Sequence, residues 1–145
     1  MDTIEITFDN HEVVELAKRF PGALARGIQL TALDVHANVR KESPIDKGRL
    51  ASSWMLQKVD ELVWAINSNT KYRWYVQTGT PPHEIRPKNA QALHFTVGGE
   101  DVFCKLVNHP GTEANPYITR ALEATERRIP MIAEKVVKEA TSGAK

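Results

Sequence analysis

The chain has 145 residues, of which 41% are hydrophobic and 26% are charged. This length and balance are typical of one globular domain, and they exclude a wholly disordered chain. Nineteen basic and eighteen acidic residues give a formal charge of +1, so the basic excess of a freestanding nucleic-acid-binding protein is missing. The single cysteine, Cys104, excludes an internal disulfide and a zinc site built from several cysteines.

The sequence predicts a single domain over residues 1–145, in which residues 141–145 form a frayed tail. The first residues, from Met1 to Glu5, have neither the basic region nor the apolar run of a signal peptide. No apolar run approaches the roughly 20 residues that a membrane-spanning helix needs. We therefore expect a soluble protein that is made and used in the cytoplasm, or in something assembled there, with no membrane partner.

The N-terminal part predicts a strand and two helices. Ile4, Ile6 and Phe8 alternate with polar residues, which is typical of a half-buried strand, and a short helix follows that ends near Phe20. A long central helix is then predicted from Pro21–Gly22 to just before Pro44. Its apolar face repeats every three or four residues: Leu24, Ile28, Ala32, Val35 and Val39.

The middle of the chain predicts two β-hairpins. The first joins residues 53–59 to residues 62–66 through an Asp60–Glu61 turn, because both runs alternate in hydropathy. The second joins residues 93–97 to residues 102–106 through a turn that contains Gly98 and Gly99.

Between the hairpins, the aromatic cluster at residues 72–76 predicts one or two helical turns, and residues 83–91 predict a long loop. After the second hairpin, Asn115 is placed to cap a helix that has Pro116 at its first position. Pro130 predicts a kink or a division into two helices, with the pattern continuing to about Ala140. The fold class predicted from this order is α+β: an antiparallel sheet of two hairpins plus the N-terminal strand, packed against the long central helix and the C-terminal helix.

The residues that could carry chemistry do not form a recognised catalytic or metal-binding pattern. His83, His94, His109 and Cys104 could converge if the strands pair, but none has the spacing of a known zinc motif. Cys104 lies in a predicted strand, where a small buried cysteine is far commoner than a nucleophile. We therefore expect no enzyme, no cofactor and no metal, and a small metal-dependent enzyme using the three histidines remains an alternative.

A second alternative is a small nucleic-acid-binding module. Lys71 and Arg73 alternate with aromatic residues that could stack on bases, and Arg86 and Lys88 lie in the following loop. The near-neutral charge favours the other interpretation, in which the aromatic cluster belongs to the core or to a subunit contact.

Three segments, in order, resemble one family of phage minor tail components. Residues 43–54 read SPIDKGRLASSW and resemble the element P-V-D-T-G-x-L-R-x-S of that family. Residues 72–80 read YRWYVQTGT and are similar to Y-A-x-Y-V-E-x-G-T, with Gln77 where an acidic residue is common. Residues 109–122 begin HPGTEANPYI and resemble H-P-G-T-x-x-x-P-F-L-x-x-A-L, with Tyr117 in place of phenylalanine.

The resemblance covers roughly residues 20–125, and its members are neck or tail-completion proteins of long-tailed bacteriophages. It implies a structural virion protein at the head–tail junction that assembles as a ring of itself, with six subunits expected and twelve as the alternative. The implied partners are other neck proteins, such as head-closure and tail-terminator proteins, and DNA that passes through the lumen without sequence-specific contact. The implied location is the virion, after synthesis in the host cytoplasm.

Apolar and proline residues in the loops and aromatic segments are the candidates for assembly contacts. The candidates are Leu50, Trp54, Trp74, Tyr75, Ile85, Pro110 and Tyr117. Leu50, Trp54 and Ile85 lie in segments that we expect to become ordered against a neighbouring subunit.

Overall fold

The computed structural model describes residue 15 and residues 18–45 and 48–142. The chain divides into two compact units, one formed by residues 1–73 with 117–145 and the other by residues 74–116. The predicted N-terminal strand, most of the first predicted helix and residues 143–145 lie outside the described residues.

The central element of the first unit is helix α1 (Pro21–Glu42). Pro21 begins it, because the first turn needs no hydrogen bond from a backbone N–H that proline lacks. Arg40 and Lys41 lie in its last turn, where cations suit the negative end of the helix, and Ser43 ends it in an extended conformation before Pro44. Its buried positions form one stripe: Ala23, Thr31, Ala32, Val35 and Val39.

Helix α2 (Arg49–Ser52) leads into a hairpin of β1 (Trp54–Asp60) and β2 (Val63–Ser68), which packs against α1. The register pairs Trp54 with Ser68 and Leu56 with Ile66, so these side chains share the face that is covered by the helix. The register shifts between Lys58 and Asp60, which places one extra residue on β1 just before the turn.

Two helices that follow the second unit in the sequence, α4 (Tyr117–Glu126) and α5 (Ile129–Ser142), complete the first unit, and both pack on α1. The predicted effect of Pro130 is confirmed as two helices, with the proline as the second residue of α5, where its missing N–H costs little. Ion pairs join α4 and the turn that follows it to α1: Arg120 of α4 pairs with Glu42 at 2.9 Å, and Arg128 of the turn pairs with Asp34 at 3.1 Å.

The second unit contains two strand pairs. Helix α3 (Arg73–Thr78) enters it from the boundary and is followed by β3 (His83–Ile85), β4 (Leu93–Val97), β5 (Glu100–Cys104) and β6 (Val107–His109). Strands β4 and β5 form a tight antiparallel hairpin. Strand β3, which precedes this hairpin in the sequence, pairs antiparallel with β6, which follows it.

The α+β class, the two hairpins, the long central helix and the C-terminal helix are confirmed. The hairpins do not join into one sheet, however: the described strands form three separate two-stranded sheets. Residues 83–91 are not all loop, because they contain β3. A three-residue strand whose partner lies beyond a whole hairpin leaves no local periodicity, so the sequence pattern could not signal it. Among the described residues, none of the helices combines the length and the apolar character needed to span a bilayer.

Candidate functional site

The first motif segment, residues 43–54, folds into the core of the first unit. Gly48 takes a left-handed conformation with a φ of 68° just before α2, and this turn directs Leu50 inward. Leu50 and Trp54 are both buried within this chain alone. Their apolar surface is thus covered by this chain itself, and their assignment as contacts for a neighbouring subunit stays a prediction.

A hydrogen-bond chain fixes the indole of Trp54 in that core. Its Nε1 donates to Ser43 Oγ at 3.2 Å, and the Ser43 hydroxyl donates to the carbonyl of Val39 at 2.6 Å. The Trp54 ring meets the edge of the Tyr117 ring at a centroid distance of 6.3 Å. The first and third motif segments thus meet through these two aromatic rings, at the end of α1.

Tyr117 is the most enclosed of the assembly candidates, with 0% of its surface exposed. Burial raises the pKa of its hydroxyl to about 12, although the nearby Arg73 guanidinium lowers it. The hydroxyl donates to the backbone carbonyl of Arg73 across a long 3.4 Å contact. Tyr117 is therefore a core residue of this chain, and its assignment as a subunit contact stays a prediction.

The second and third motif segments meet in the second unit as a backbone joint. The N–H of Thr80 donates to the carbonyl of Thr112 at 2.9 Å, and the N–H of Thr112 donates to the carbonyl of Thr80 at 3.0 Å. The N–H of Asn115 donates to the carbonyl of Val76 at 2.9 Å, which ties the same segments together a second time. We call the pairing of residues 79–80 with residues 111–112 the glycine joint.

The glycine joint requires glycine at two positions. Gly79 and Gly111 have φ values of 72° and 88°, a region that other residues rarely adopt. A Cβ on Gly79 would lie 2.5 Å from the carbonyl oxygen of Thr112, and a Cβ on Gly111 would collide with the carbonyl oxygen of Thr80. The two glycines therefore allow the backbones to approach from both sides, which explains physically why both motif segments contain a Gly-Thr pair.

Two histidines lie side by side next to the glycine joint. His83 and His109 are opposite each other in the β3–β6 register, and their ring centroids are 5.0 Å apart. His83 Nδ1 lies 2.9 Å from the carbonyl oxygen of Pro81, and the N–H of Gly111 donates to His109 Nδ1 at 3.1 Å. The sequence analysis allowed the histidines to converge, but no local pattern indicated that His83 pairs with His109, because their strands are joined only in the fold.

These hydrogen bonds assign the tautomer of each ring. A carbonyl oxygen can only accept, so His83 carries a proton on Nδ1, whereas His109 must keep Nδ1 unprotonated to accept from Gly111. The neutral His109 therefore carries its proton on Nε2. A metal ion shared by the two rings would need a lone pair on a free nitrogen of each, which His109 could offer only by giving up the Gly111 bond.

The remaining members of the predicted histidine–cysteine cluster lie on the β4–β5 hairpin. His94 stacks on the Phe103 ring at 4.6 Å, and its Nε2 lies 3.1 Å from a carboxylate oxygen of Asp101. Cys104 pairs in register with Leu93 and is partly buried. Within residues 18–45 and 48–142, no group of three or more His, Cys, Asp or Glu side chains is placed to hold a metal ion.

The other assembly candidates lie nearer the surface of the second unit. Tyr75 and Pro110 are exposed, and Trp74 and Ile85 are partly buried. The sequence-based candidates missed the β4–β5 hairpin, where Phe95, Val97 and Phe103 are exposed. The sequence shows that apolar and polar residues alternate along these strands. This alternation does not indicate which face of the hairpin remains uncovered in the fold.

The four basic residues of the nucleic-acid alternative are not equally exposed to solvent. Arg73 is buried, and its guanidinium donates to the carbonyl of Thr70 at 2.8 Å. Arg86 is exposed and pairs with Glu84 at 2.9 Å. Lys71 and Lys88 are exposed. The buried Arg73 cannot contact a phosphate in this structure, which weakens that alternative.

Comparison of the chain with protein-family models, with curated proteins and with solved structures gave no match.

Proposed function

We propose that this protein is a non-enzymatic structural component of a phage neck, located in the virion and assembling as a ring at the head–tail junction. The observation that carries the proposal is the resemblance of three ordered segments to the family of minor tail components. The geometry supports it in one respect: residues 79–80 and 111–112, from two of those segments, pair backbone to backbone at glycines that the fold requires.

A surface for self-association is available on the β4–β5 hairpin. The register places a mainly apolar set of side chains on one face, since side chains directly opposite each other point the same way. This set comprises Leu93, Phe95, Val97, Val102 and Cys104, with the carboxylate of Glu100 beside Val97 at the turn end. Each of these two strands has only one strand neighbour among the described residues, so each has an open edge. An isolated two-stranded hairpin with an apolar face is marginally stable in water, and a further strand would stabilise it.

We assign a second copy of this chain as the occupant of that face. Strand β4 reads Leu-His-Phe-Thr-Val and has neither a carboxylate nor a lysine or arginine, so strands of neighbouring copies meet no like-charge repulsion from it. The hairpin faces of successive subunits then join into one mainly apolar layer around the ring, with Glu100 at its turn end.

Complementation of a gene deletion tests the proposal. Phage particles that lack this protein should have DNA-filled heads that fail to join functional tails, as seen by electron microscopy of lysates. Normal infectious particles from the deletion strain would contradict the proposed function.

Two matched variants test the assigned face. Val97→Glu on β4 and Val59→Glu on β1 change side chains of nearly equal exposure, 59% and 60%. Complementation by the Val97→Glu variant should fail, whereas the Val59→Glu variant should restore tailed particles. Restoration by both variants, with both proteins folded by circular dichroism, would remove the hairpin face from the proposal.

A further inference from the structure

The hydrogen bond between the backbone of Gly111 and His109 exists only while His109 is neutral. Its Nδ1 accepts the N–H of Gly111 at 3.1 Å, and a second proton on the ring would turn this acceptor into a donor facing a donor. The lone pair of His109 Nδ1 therefore acts as a backbone cap for the turn that begins the third motif segment.

This cap holds the residue on which the glycine joint depends. Gly111 has a φ of 88°, and the next residue, Thr112, exchanges both of its backbone hydrogen bonds with Thr80. Gly111 has no side chain that could hold the turn in place by packing. Loss of the Gly111–His109 hydrogen bond therefore weakens the adjacent Thr80–Thr112 pairing directly.

His83 adds a second, independent effect of acidification. Its ring centroid lies 5.0 Å from that of His109, so protonation of both rings places two positive charges in close proximity. His83 keeps its own bond to Pro81 in either state, because Nδ1 already carries a proton, so it cannot move away without losing that bond.

The other charged groups of these segments do not oppose this effect. Glu84 lies at the next position of β3, on the opposite face, and pairs with Arg86 at 2.9 Å. Glu113 follows the joint and is exposed. A carboxylate close to either ring would favour the protonated form of the closed joint and so oppose the effect, and among the described residues neither ring forms an ion pair with a carboxylate.

We propose that the His83–His109 pair makes the glycine joint a pH-sensitive latch, closed when both imidazoles are neutral and loosened when they are protonated. The sign follows from the hydrogen bond: a proton on Nδ1 of His109 removes the acceptor of the Gly111 N–H, so the open form binds more protons than the closed form and acid loosens the joint. The inference rests on the geometry of the joint and is independent of the proposed function.

Hydrogen exchange measured by NMR tests the latch. Protection factors of the Thr80 and Thr112 amides, corrected for intrinsic exchange, should fall on the order of tenfold between about pH 7.5 and about pH 5, the effect of losing one hydrogen bond. Imidazole ¹⁵N shifts at the higher pH should show a proton on Nδ1 of His83 and on Nε2 of His109. Unchanged protection, or the opposite tautomers, would overturn the proposal.

A variant that keeps a hydrogen-bond acceptor at residue 109 but cannot be protonated there distinguishes the latch from a general sensitivity of the protein to acid. In His109→Asn, Oδ1 occupies the same bonded position as Nδ1 and can accept from the N–H two residues later. We expect this variant to keep its protection at both pH values. His94→Asn on β4 should retain the full fall. A pH response that persists in His109→Asn would show that another group controls the joint, and would refute the latch.

Discussion

At the scale of single residues, the motif side chains divide into those that build the core and those that remain accessible. Trp54 and Tyr117 contact each other in the first unit, and Ser43 is the hydrogen-bond acceptor that allows the indole to be buried. Without that acceptor a buried N–H would lose its bond to water with no replacement, which costs about 1–3 kcal/mol. Through these three residues the first and third motif segments contact each other in the core.

The buried hydroxyl of Tyr117 predicts a loss of stability at alkaline pH. Its pKa is about 12 in the folded chain and about 10 when unfolded, so the unfolded state releases its proton first as the pH rises. The free energy of unfolding should therefore fall between about pH 10 and pH 12, by up to about 3 kcal/mol at about 1.4 kcal/mol per pH unit.

The Tyr117→Phe variant should lack this component, and urea denaturation across that pH range measures the difference from the wild type. The readout is the difference between the variants, because contributions from all other groups are common to both proteins. Tyr75→Phe removes an exposed hydroxyl and serves as the control, with an unchanged alkaline response expected. Equal alkaline sensitivity of the wild type and Tyr117→Phe would contradict the prediction.

At the scale of elements, the glycine joint is the feature on which the second unit depends most directly. The strand pair β3–β6 has three residues in each strand, and the joint extends that pairing beyond His83 through Thr80 and Thr112. So short a ladder cannot hold its register by side-chain pairing alone. The close backbone approach at the two glycines provides the additional hydrogen bonds.

Substitution of Gly111 in the glycine joint should lower the free energy of unfolding far more than substitution of Gly98 in the hairpin turn. Gly111→Ala combines a left-handed conformation with a collision against the backbone of Thr80, and should destabilise the joint by about 3 kcal/mol or more. Gly98→Ala has a similar φ of 59° but open space around the new Cβ, and should cost about 1 kcal/mol.

Urea denaturation followed at the NMR amide signal of Thr80 measures both costs. The difference between the two variants isolates the steric collision from the backbone conformation. Equal costs would show that the close approach at Gly111 does not contribute to stability.

At the scale of the whole molecule, the charge balance bears on the competing nucleic-acid interpretation. The formal charge is +1, and Arg73 is withdrawn from solvent by its bond to Thr70. Three of the four basic residues remain exposed, namely Lys71, Arg86 and Lys88. A neck protein through which DNA passes needs no phosphate contacts that would hold the DNA in place.

We expect no measurable binding to duplex DNA at physiological salt, and no change on substitution of Lys71, Arg86 and Lys88 by glutamine. Three phosphate contacts would give a logarithmic salt slope of about −3, because each contact releases close to one counterion. Fluorescence anisotropy of a labelled duplex over a range of salt concentrations makes the measurement. A slope of that size, abolished by the triple substitution, would favour the nucleic-acid-binding module over the neck protein.

The sequence by itself determined the elements whose signals are local. The three- and four-residue spacing from Leu24 to Val39 predicted α1, Pro44 and Pro130 predicted two helix boundaries, and alternation around Gly98 predicted the second hairpin. Each of these signals depends on periodicity, on the restricted backbone of proline or on the conformational freedom of glycine, and all three can be recognised from a few neighbouring residues.

Only the tertiary structure decided which of those elements meet. The pairing of His83 with His109, the glycine joint and the burial of Trp54 against Tyr117 all connect residues that are far apart in sequence. Leu50 and Trp54 looked like free anchors because apolar residues in a glycine- and proline-rich segment read the same whether a neighbour or the same chain covers them. Whether the same chain or a neighbour covers these side chains depends on long-range packing, in which the surface of α1 competes with any partner. No local sequence pattern indicates which of the two covers them.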